Sequence, residues 1–461
     1  MKAHRSSMLS TALITSMGYV VVQLDVTIVN VALPTFANIF QTDISALQWI
    51  PDAYVIVFAT LLLAAGGLSD RYGNRIVNLL GMVFFLLSSL ICAFSSTIEI
   101  MIAGRIGQGV GAALILPSSL ALLTIASGGD AVLRTKAIGW WSAIGGIISA
   151  AGPFFGGLML EYYSWHSLFL INIPICLIGI LFTLLFINEP VHFNARQIDN
   201  KGILLFIVTS FSLIFVLIKS GKDASYTFSD LVFAVIFLIS LIQLVRHISN
   251  NQTAFIPASL FKTPFFSLGL FLGAAMNFSF YGSIFLLTIY FQMYRGFSPV
   301  MTGLALLTFT IIALANTASG YLSERFGSRL TIIIGVIIAM ISYISLAVLT
   351  HIDADFLTFV LFLFLMPVGG GIALPTLLST FIHSAPPEMT ATASAAINAT
   401  RQIGGAIGVA LLGLLVSGVS FSIRYGATFG FSIAALVMML STFLSYIKFY
   451  ESNDGDISHE K

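Results

Sequence analysis

Long apolar runs separated by short polar segments dominate the chain. The runs recur roughly every 30 residues, and a helix needs about 20 apolar residues to cross the hydrocarbon of a bilayer. Because hydrocarbon cannot hydrogen-bond a backbone, such runs are expected to be helical. The pattern predicts fourteen spans, numbered 1 to 14 in chain order: 8–33, 47–68, 76–95, 99–126, 137–160, 165–187, 201–219, 230–245, 265–291, 300–322, 330–350, 356–381, 393–419 and 425–447.

Composition agrees with a multi-pass membrane protein. Of 461 residues, 58% are hydrophobic and only 8% are charged, whereas soluble domains carry about a quarter charged residues. The net charge of +1 argues against a nucleic-acid partner, which requires a basic surface. Two cysteines, Cys92 and Cys176, are too few for a disulfide framework or a thiolate metal site. The seven histidines show no ligand spacing, so we expect no metal, no cofactor and no enzymatic activity.

The distribution of basic residues predicts the orientation. Of the 20 Lys and Arg residues, fourteen fall in segments on the side of the termini, four fall on the other side, and two, Arg105 and Arg401, fall inside spans. Short loops rich in Lys and Arg stay in the cytoplasm. We therefore expect both termini to be cytoplasmic and the protein to lie in the cell (inner) membrane. No small-residue cleavage site follows the first apolar run, so span 1 is predicted to remain uncleaved.

An internal repeat divides the chain. The segment GGLSDRYGNR at 66–75 returns as GYLSERFGSR at 320–329, an offset of 254 residues, and a second repeat aligns Pro117 with Pro375 at an offset of 258. At roughly 30 residues per span and loop, the repeats lie eight spans apart. Parallel repeats of six spans are typical of secondary transporters. We predict a first six-span bundle (1–187), an inserted pair of spans (188–264), a second six-span bundle (265–447) and a cytoplasmic tail (448–461).

The repeated loops are candidates for a cytoplasmic gate. Gly66 and Gly73 permit close helix approach and a tight turn. Asp70 and Arg71 place opposite charges where two helices end. A solvated hairpin loop would explain one copy equally well, but two copies favour a latch. The predicted gate residues are Gly66, Asp70, Arg71, Gly73, Arg75, Glu324, Arg325 and Arg329.

Three charged residues inside spans are candidates for coupling. With a rise of about 1.5 Å per residue, Asp25, Asp52 and Arg105 are all expected in the outer half of the slab, where they could meet around one cavity. Their net charge of −1 calls for one more positive charge, which a proton or a cationic substrate could supply. Arg105 does not deprotonate, so the titrating group would be an aspartate. The structural alternatives are a buried polar bond for Asp25, a solvated helix start for Asp52 and a helix tether for Arg105.

Neutral polar residues in the spans add to the predicted substrate cavity. We place Asn30 and Gln108 there with Asp25 and Asp52, although hydrogen bonds between helices are an alternative role for both amides. Some of the 40 phenylalanines could also offer ring faces to cations.

Several motifs carry a resemblance to a known family. The chain resembles the major facilitator superfamily, and within it the fourteen-helix drug:proton antiporters, which include multidrug, quaternary-ammonium and methyl-viologen exporters. The resemblance runs nearly end to end. Its motifs are LDVTIVNVALP at 24–34, QWIPDAY at 48–54, GGLSDRYGNR at 66–75 and RIGQGVGAA at 105–113.

The resemblance implies an all-α polytopic membrane protein with the major facilitator fold, two six-helix bundles plus two inserted helices. It also implies that Asp25 is the membrane carboxylate of span 1, that Asp52 binds substrate or proton, and that Arg105 takes part in proton coupling. Asn74 departs from the pattern, because a basic residue is usual there.

The segment GPFFGG at 152–157 resembles the core of the span 5 motif of antiporters. Pro153 removes a backbone donor and kinks the helix, while Gly152, Gly156 and Gly157 let a neighbour pack closely. Ile148 stands where a further glycine is usual, so the match is partial. Spans 9–14 have no carboxylate in their middle, unlike some multidrug relatives, which argues against transport of divalent cations.

These observations favour a proton-coupled antiporter that exports amphipathic, cationic drugs or antiseptics by alternating access and works as a monomer. Its expected partners are those small compounds, protons and the lipid bilayer. The main alternative is an exporter of one metabolite, such as a siderophore or an antibiotic. A solute:proton symporter is less favoured because of the span 5 motif. A channel is disfavoured because no filter sequence or charged ring repeats.

Overall fold

A computed structural model describes residues 2–126, 131–187, 199–219, 228–251, 254–263, 265–383, 389–417 and 422–457. Within these ranges the chain is helical apart from short connections, as the apolar pattern predicts. Thirteen helical stretches of this part of the chain are long and apolar enough to cross a membrane.

One of the thirteen stretches contains two crossings. Pro299–Ile352 has 54 residues, about 80 Å of helix, which is more than twice the thickness of the hydrocarbon. The helix is broken at Gly327, whose φ of +81° is not helical. Gly73, at the same place in the first copy of the repeated loop, has φ +88°. Glycine adopts this conformation without steric cost, so both copies turn on a glycine and the chain makes fourteen crossings.

The crossings lie close to their predicted limits. Their helices are Lys2–Ile28, Val29–Ala32 and Leu33–Phe40 (span 1); Ile44–Tyr72 (2); Asn74–Ala93 (3); Ile98–Ala126 (4); Ala131–Tyr162 (5); Ser167–Leu170 and Asn172–Phe186 (6); Asn200–Lys219 (7); Phe228–Asn250 (8); Phe266–Ile289 and Tyr290–Tyr294 (9); Pro299–Leu306, Leu307–Ile311 and the first part of Ile312–Ile352 (10); its second part (11); Phe356–Leu363 and Leu365–His383 (12); Thr390–Val416 (13); and Ile423–Ile457 (14). An even number of crossings leaves both termini on one side of the bundle, called the terminal side below.

Two C-terminal ends differ most from the sequence prediction. Span 1 continues past Pro34 to Phe40, because a 3-10 turn precedes the proline and places it at the start of a new helical segment, where its missing N–H is tolerated. Span 14 continues as helix to Ile457, into the segment predicted as a tail.

Three helix starts on the side opposite the termini are capped by side chains. Asp43, Ser298 and Asp355 each accept a hydrogen bond from the backbone N–H three residues later, at 2.8, 3.2 and 3.0 Å. The caps open spans 2, 10 and 12, and each satisfies an N–H that the first helical turn leaves free.

Helix packing repeats in the two halves, spans 1–6 and spans 9–14. In the first half, a Cβ on Gly81 of span 3 would lie 2.9 Å from the carbonyl oxygen of Gly111 in span 4. In the second half, a Cβ on Gly335 of span 11 would lie 2.8 Å from the carbonyl oxygen of Gly369 in span 12. The two pairs are offset by 254 and 258 residues, the same offsets as the sequence repeats.

The halves meet along spans 2 and 13 and along spans 5 and 10. Near the side opposite the termini the contacts are close. The backbone of Pro299 fills the space beside Gly157, and Gln292 Nε2 donates to the carbonyl oxygen of Val31 at 2.9 Å. On the terminal side, a Cβ built on Gly66 or Gly320 would meet no neighbouring helix within 4 Å among the described residues.

Span 7 of the inserted pair contacts both halves. Its Ile214 and Ile218 pack in one cluster with Ile56 of span 2 and with Ala406 and Ala410 of span 13. Span 8 lies farther out and packs on span 7. The inserted pair therefore covers the line along which spans 2 and 13 meet.

Asp199 ties the terminal-side end of the inserted pair together. Its carboxylate, 8% exposed, accepts hydrogen bonds from the backbone N–H of Gly202 at 2.9 Å, from the backbone N–H of Phe255 at 3.0 Å and from His247 Nε2 at 2.9 Å. Partial burial acts to raise the pKa of Asp199, but the hydrogen bonds and the charge of His247 outweigh it and hold that pKa below its ordinary value.

We expect Asp199→Asn to lower the Tm of the purified protein at pH 7 by a few degrees. The folded pKa of the carboxyl is lowered, so its contribution is complete above the ordinary value of about 3.9 and is lost as the pH falls through the folded value. Thermal unfolding in detergent from neutral to acid pH should therefore show the gap between wild type and variant closing below about pH 4. Glu161→Gln, which neutralises an exposed carboxylate, is the control, and a gap that does not change with pH would contradict the assignment.

Candidate functional site

An ion pair between Asp25 and Arg105 lies at the centre of the first half. The two side chains come from spans 1 and 4 and are fully buried, and Arg105 Nη1 donates to Asp25 Oδ2. The other carboxylate oxygen, Oδ1, accepts from Gln108 Nε2 and from Asn172 Nδ2, both at 2.9 Å. Buried ion pairs are stable where further hydrogen bonds satisfy the remaining donors and acceptors, and this carboxylate meets that condition.

Arg105 also binds groups outside the ion pair. Its Nε donates to the carbonyl oxygen of Ile50 in span 2 at 3.0 Å, and its Nη1 donates to Gln108 Oε1 at 2.8 Å. The guanidinium carbon lies 4.4 Å from the ring centroid of Tyr54, a cation–π distance. One arginine therefore joins spans 1, 2 and 4.

Neutral polar groups extend this network to spans 3 and 6. Ser89 Oγ accepts from Gln108 Nε2 at 2.9 Å and from Asn172 Nδ2 at 3.3 Å. Cys92 Sγ donates to Gln108 Oε1 at 3.6 Å. The Nε2 and Oε1 atoms of Gln108 are thus both hydrogen-bonded within the first half. Gln108 lies behind Arg105 and is not part of the cavity wall described below. Asn172 and Ser89 are missing from the sequence prediction because neutral polar residues occur in many spans and give no signal of their own.

Asp52 in span 2 stands apart from this network. Its side chain is 0% exposed, and neither carboxylate oxygen has a hydrogen-bond partner among the described atoms. Gln48, one turn earlier, is in the same situation at both polar atoms of its side chain. Two neighbouring polar side chains are therefore buried without partners where span 2 faces span 13.

A small cavity lies beside Asp52, between the two halves. Its free space is about 20 Å³, which is enough for one water molecule. The wall includes Asn30, Asp52 and Arg105 of the first half and Tyr281, Gly405 and Ala406 of the second half. The structure thus brings Asp52, Asn30 and Arg105 to one cavity, whereas Asp25 contacts it only through Arg105.

Arg401 in span 13 is a further charge inside the bundle. Its Nη1 donates to Asn398 Oδ1 at 3.0 Å, and its buried Nε has no partner among the described atoms. No described carboxylate forms an ion pair with Arg401. The sequence shows Arg401 inside span 13, but its place beside the meeting line of the two halves depends on how the helices pack.

Side chains of the predicted gate loops contact their own half. Arg75 Nη2 donates to the carbonyl oxygen of Leu184 at 2.8 Å. The guanidiniums of Arg71 and Arg325 lie over the rings of the residues that follow them, at 5.4 and 5.3 Å. Glu324 is exposed and Arg329 is half-buried. The side chain of Asp70 lies outside the described residues.

The glycines of the span 5 motif lie at two helix contacts. Gly156 lies against the backbone of Ile28 in span 1 and Gly157 against that of Pro299 in span 10. Gly152 lies against Thr27, and Pro153 lies inside the continuous helix of span 5. These glycines therefore permit span 5 to pack closely against both its own half and the other half.

Comparisons with known proteins identify the family of the chain and several relatives. A family model described as Major Facilitator Superfamily matches residues 15–409 and 287–454. The chain is 32% identical to the Methylenomycin A resistance protein of Bacillus subtilis (strain 168), over 99% of this chain and 97% of that protein. It is 36% identical to a protein of the same name from Streptomyces coelicolor, over 93% and 90%. It is 31% identical to the Multidrug resistance protein Stp of Mycobacterium tuberculosis, over 89% and 76%.

A solved structure has the same fold. The crystal structure of the nucleoside transporter NupG superposes with a TM-score of 0.65, covering 96% of this chain and 99% of that one. At 15% identity the likeness concerns the fold alone.

We expect Asp25→Asn to destabilise the protein by roughly 3–5 kcal/mol, because it leaves the buried Arg105 charge without its counterion. Adding Arg105→Gln should restore part of the loss, since the double variant buries no net charge. Denaturant or thermal unfolding of both single variants and the double variant in detergent gives the coupling free energy. Asp52→Asn is the control, since Asp52 has no partner to strand, and strictly additive losses would show that the two charges do not stabilise each other.

Proposed function

The chain belongs to the major facilitator superfamily, and on that premise we propose that it is a proton-coupled exporter of amphipathic drugs that works by alternating access. Its relatives include proteins named for resistance to methylenomycin A and to multiple drugs. Such proteins are membrane transporters and not enzymes. The substrate range, the coupling ion and the direction of transport are what the proposal adds.

The observation that carries the proposal is the isolated carboxylate of Asp52. An ionised carboxylate that is buried without partners is costly, so a bound proton or a cationic group of the substrate stabilises the site. Proton and cation then compete for one carboxylate. This competition is what an exchange of drug for proton requires, and the cavity beside Asp52 lies between the halves, where substrate sites of such transporters are found.

Arg105 connects the exchange site to the rest of the first half. It lines the same cavity as Asp52 and is held by Asp25, Gln108 and the carbonyl oxygen of Ile50. The ion pair itself carries no net charge. In the proposed mechanism Asp25 fixes the position of Arg105, and the guanidinium end of this neutral pair faces the cavity, where it favours release of the proton from Asp52 when water enters.

The conformation supports loading from the cytoplasm. With both termini cytoplasmic, as the basic residues predict, the close contacts at Gly157 and Gln292 face outward. We take this conformation, closed on that side, as the inward-facing state of the proposed cycle. In the outward-facing state the two repeated loops would approach each other, which is the step in which the latch residues are proposed to act. The protein would reside in the cell (inner) membrane.

The proton gradient is sufficient for export. Each elementary charge gains about 2.3 kcal/mol per 100 mV of membrane potential, and each pH unit adds about 1.4 kcal/mol. For an uncharged or zwitterionic drug both contributions count, whereas exchange of one proton for one monovalent cation moves no net charge and uses the pH difference alone. One proton per drug molecule therefore supports about a tenfold concentration gradient per pH unit even in the second case.

A narrower substrate range is the second candidate. Two relatives that align over more than 90% of the chain are named for a single antibiotic, which favours an exporter of one compound. Growth protection by the expressed protein against several unrelated dyes would exclude that candidate, and protection against one compound alone would support it.

We expect Asp52→Asn to abolish proton exchange while the protein stays folded. The probe is ethidium, with purified protein in detergent and in proteoliposomes. Wild type should bind ethidium more weakly at pH 5.5 than at pH 8, because protons compete for Asp52, and should release protons when ethidium binds. The variant should show neither effect, and Asp52→Glu should restore both in part. Glu161→Gln is the matched control, and proton release that persists in Asp52→Asn would refute the role of this carboxylate.

A further inference from the structure

Asp52 is not the only charge near the contact of the two halves that lacks an ion-pair partner. Asp25 and Arg105 cancel each other, so Asp52 on the first half and Arg401 on the second half remain unbalanced within the spans that line the cavity. A guanidinium stays charged at every physiological pH. An arginine inside a membrane protein normally pairs with a carboxylate or faces a water-filled cavity, because an unpaired charge costs several kcal/mol.

Arg401 does not act as a helix tether. Its one described hydrogen-bond partner, Asn398, lies three residues earlier on the same helix, whereas Arg105 connects three spans. Arg401 therefore fixes no neighbouring helix through hydrogen bonds. An unpaired arginine inside a membrane protein is costly, and Arg401 bonds no other helix in return. We take its remaining N–H groups to be donors for a bound compound.

Arg401 lies close to the cavity beside Asp52, although its side chain is not part of the wall. Its aliphatic stem packs against Gly273 of span 9, where a Cβ would lie 2.8 Å from Arg401 Cγ. The guanidinium lies within electrostatic range of the Tyr19 and Tyr281 hydroxyls. Tyr281 and Gly405, one turn along from Arg401, line the cavity beside Asp52. The side chain is partly exposed.

A second buried donor lies beside the same tyrosine. The ring of Trp141 in span 5 stacks on the ring of Tyr19, with 3.7 Å between centroids. Trp141 Nε1 is buried without a partner among the described atoms, as is Arg401 Nε. Two donors without acceptors and a stack of two aromatic rings form the environment that an acidic group on an apolar body requires.

We propose that Arg401 binds an acidic group of the exported compound, so that amphipathic acids and zwitterions are substrates. A carboxylate can take two parallel hydrogen bonds from a guanidinium. The apolar body of the bound compound lies against Tyr19, Trp141 and Tyr281. A zwitterion directs its acidic group to Arg401 on the second half and its amine to Asp52 on the first half. The proposal rests on the proposed export function and names the substrate class that the second half recognises.

Binding of matched probes to the purified protein in detergent tests the proposal. The probes are pyrenebutanoate and its uncharged methyl ester, followed by fluorescence at pH 7. Arg401→Gln should weaken binding of the acid at least about tenfold, the scale of a lost charge-assisted hydrogen bond, and should change binding of the ester less than about twofold. Arg401→Lys should retain most of the affinity for the acid, since it keeps the charge.

Asn398→Asp provides an independent arm. It changes only the group that already lies 3.0 Å from Arg401 Nη1 and gives the guanidinium an internal counterion. It should weaken binding of the acid as Arg401→Gln does. Arg246→Gln, which removes an exposed arginine far from the cavity, is the matched control and should leave both probes unaffected. Thermal unfolding of each variant confirms that it is folded.

Two outcomes overturn the proposal: unchanged acid binding in Arg401→Gln and Asn398→Asp, or an equal loss of acid and ester binding in folded protein. Failure of the export function is a different result. If wild type exchanges no ethidium for protons in proteoliposomes, but acid binding still depends on Arg401, the anion site stands and the proposed coupling falls.

Discussion

Hydrocarbon does not solvate charge, and the arrangement of spans 1, 2, 4 and 13 follows from that constraint. Asp25 and Arg105 satisfy it by pairing with each other and with amides around them. Asp52 and Arg401 do not pair, and both lie where the halves meet rather than inside one half. The paired charges hold the first half together. The unpaired ones lie near the surface between the halves, which would change in the proposed transport cycle, so the charges with a structural role and those with a proposed functional role are separated by position.

The sequence predicts most of the fold, because the apolar runs and the repeat are local signals. Fourteen crossings, the glycine turn at Gly73 and its copy at Gly327, and the membership of the superfamily all agree with it. The site was predicted in part. Depth along a helix placed Asp52 and Arg105 near each other. The rotation of each helix about its own axis depends on packing, and it decides that Asp25 faces Arg105 and that Gln108 points into the first half. Arg401 was visible as a charge in span 13. The neighbouring sequence, however, does not indicate whether such an arginine joins two helices or is available to a bound compound.

The two halves share one packing scheme but differ in charge. The glycine contacts between spans 3 and 4 return between spans 11 and 12. The Asp25 network has no fully buried ion pair as its counterpart among the described residues of the second half, whose ion pair, Arg295 with Asp353, lies at the helix ends. Backbone contacts of glycine tolerate little change, since any side chain there collides with a neighbouring helix. Side chains that face the cavity are free of that restriction. A duplicated scaffold can therefore keep its helix packing while each half acquires a different chemistry.

Span 7 has a consequence for how compounds reach the cavity from the lipid. A molecule of two like halves has two lateral openings between them, and an amphipathic compound dissolved in the inner leaflet could enter through either. Ile214 and Ile218 lie in the half of span 7 away from the terminal side and occupy the line between spans 2 and 13, so that line is shielded from lipid at this depth. The line between spans 5 and 10 has no such cover from the inserted pair. In the proposed transport cycle, lateral entry at this depth is therefore left to the line between spans 5 and 10.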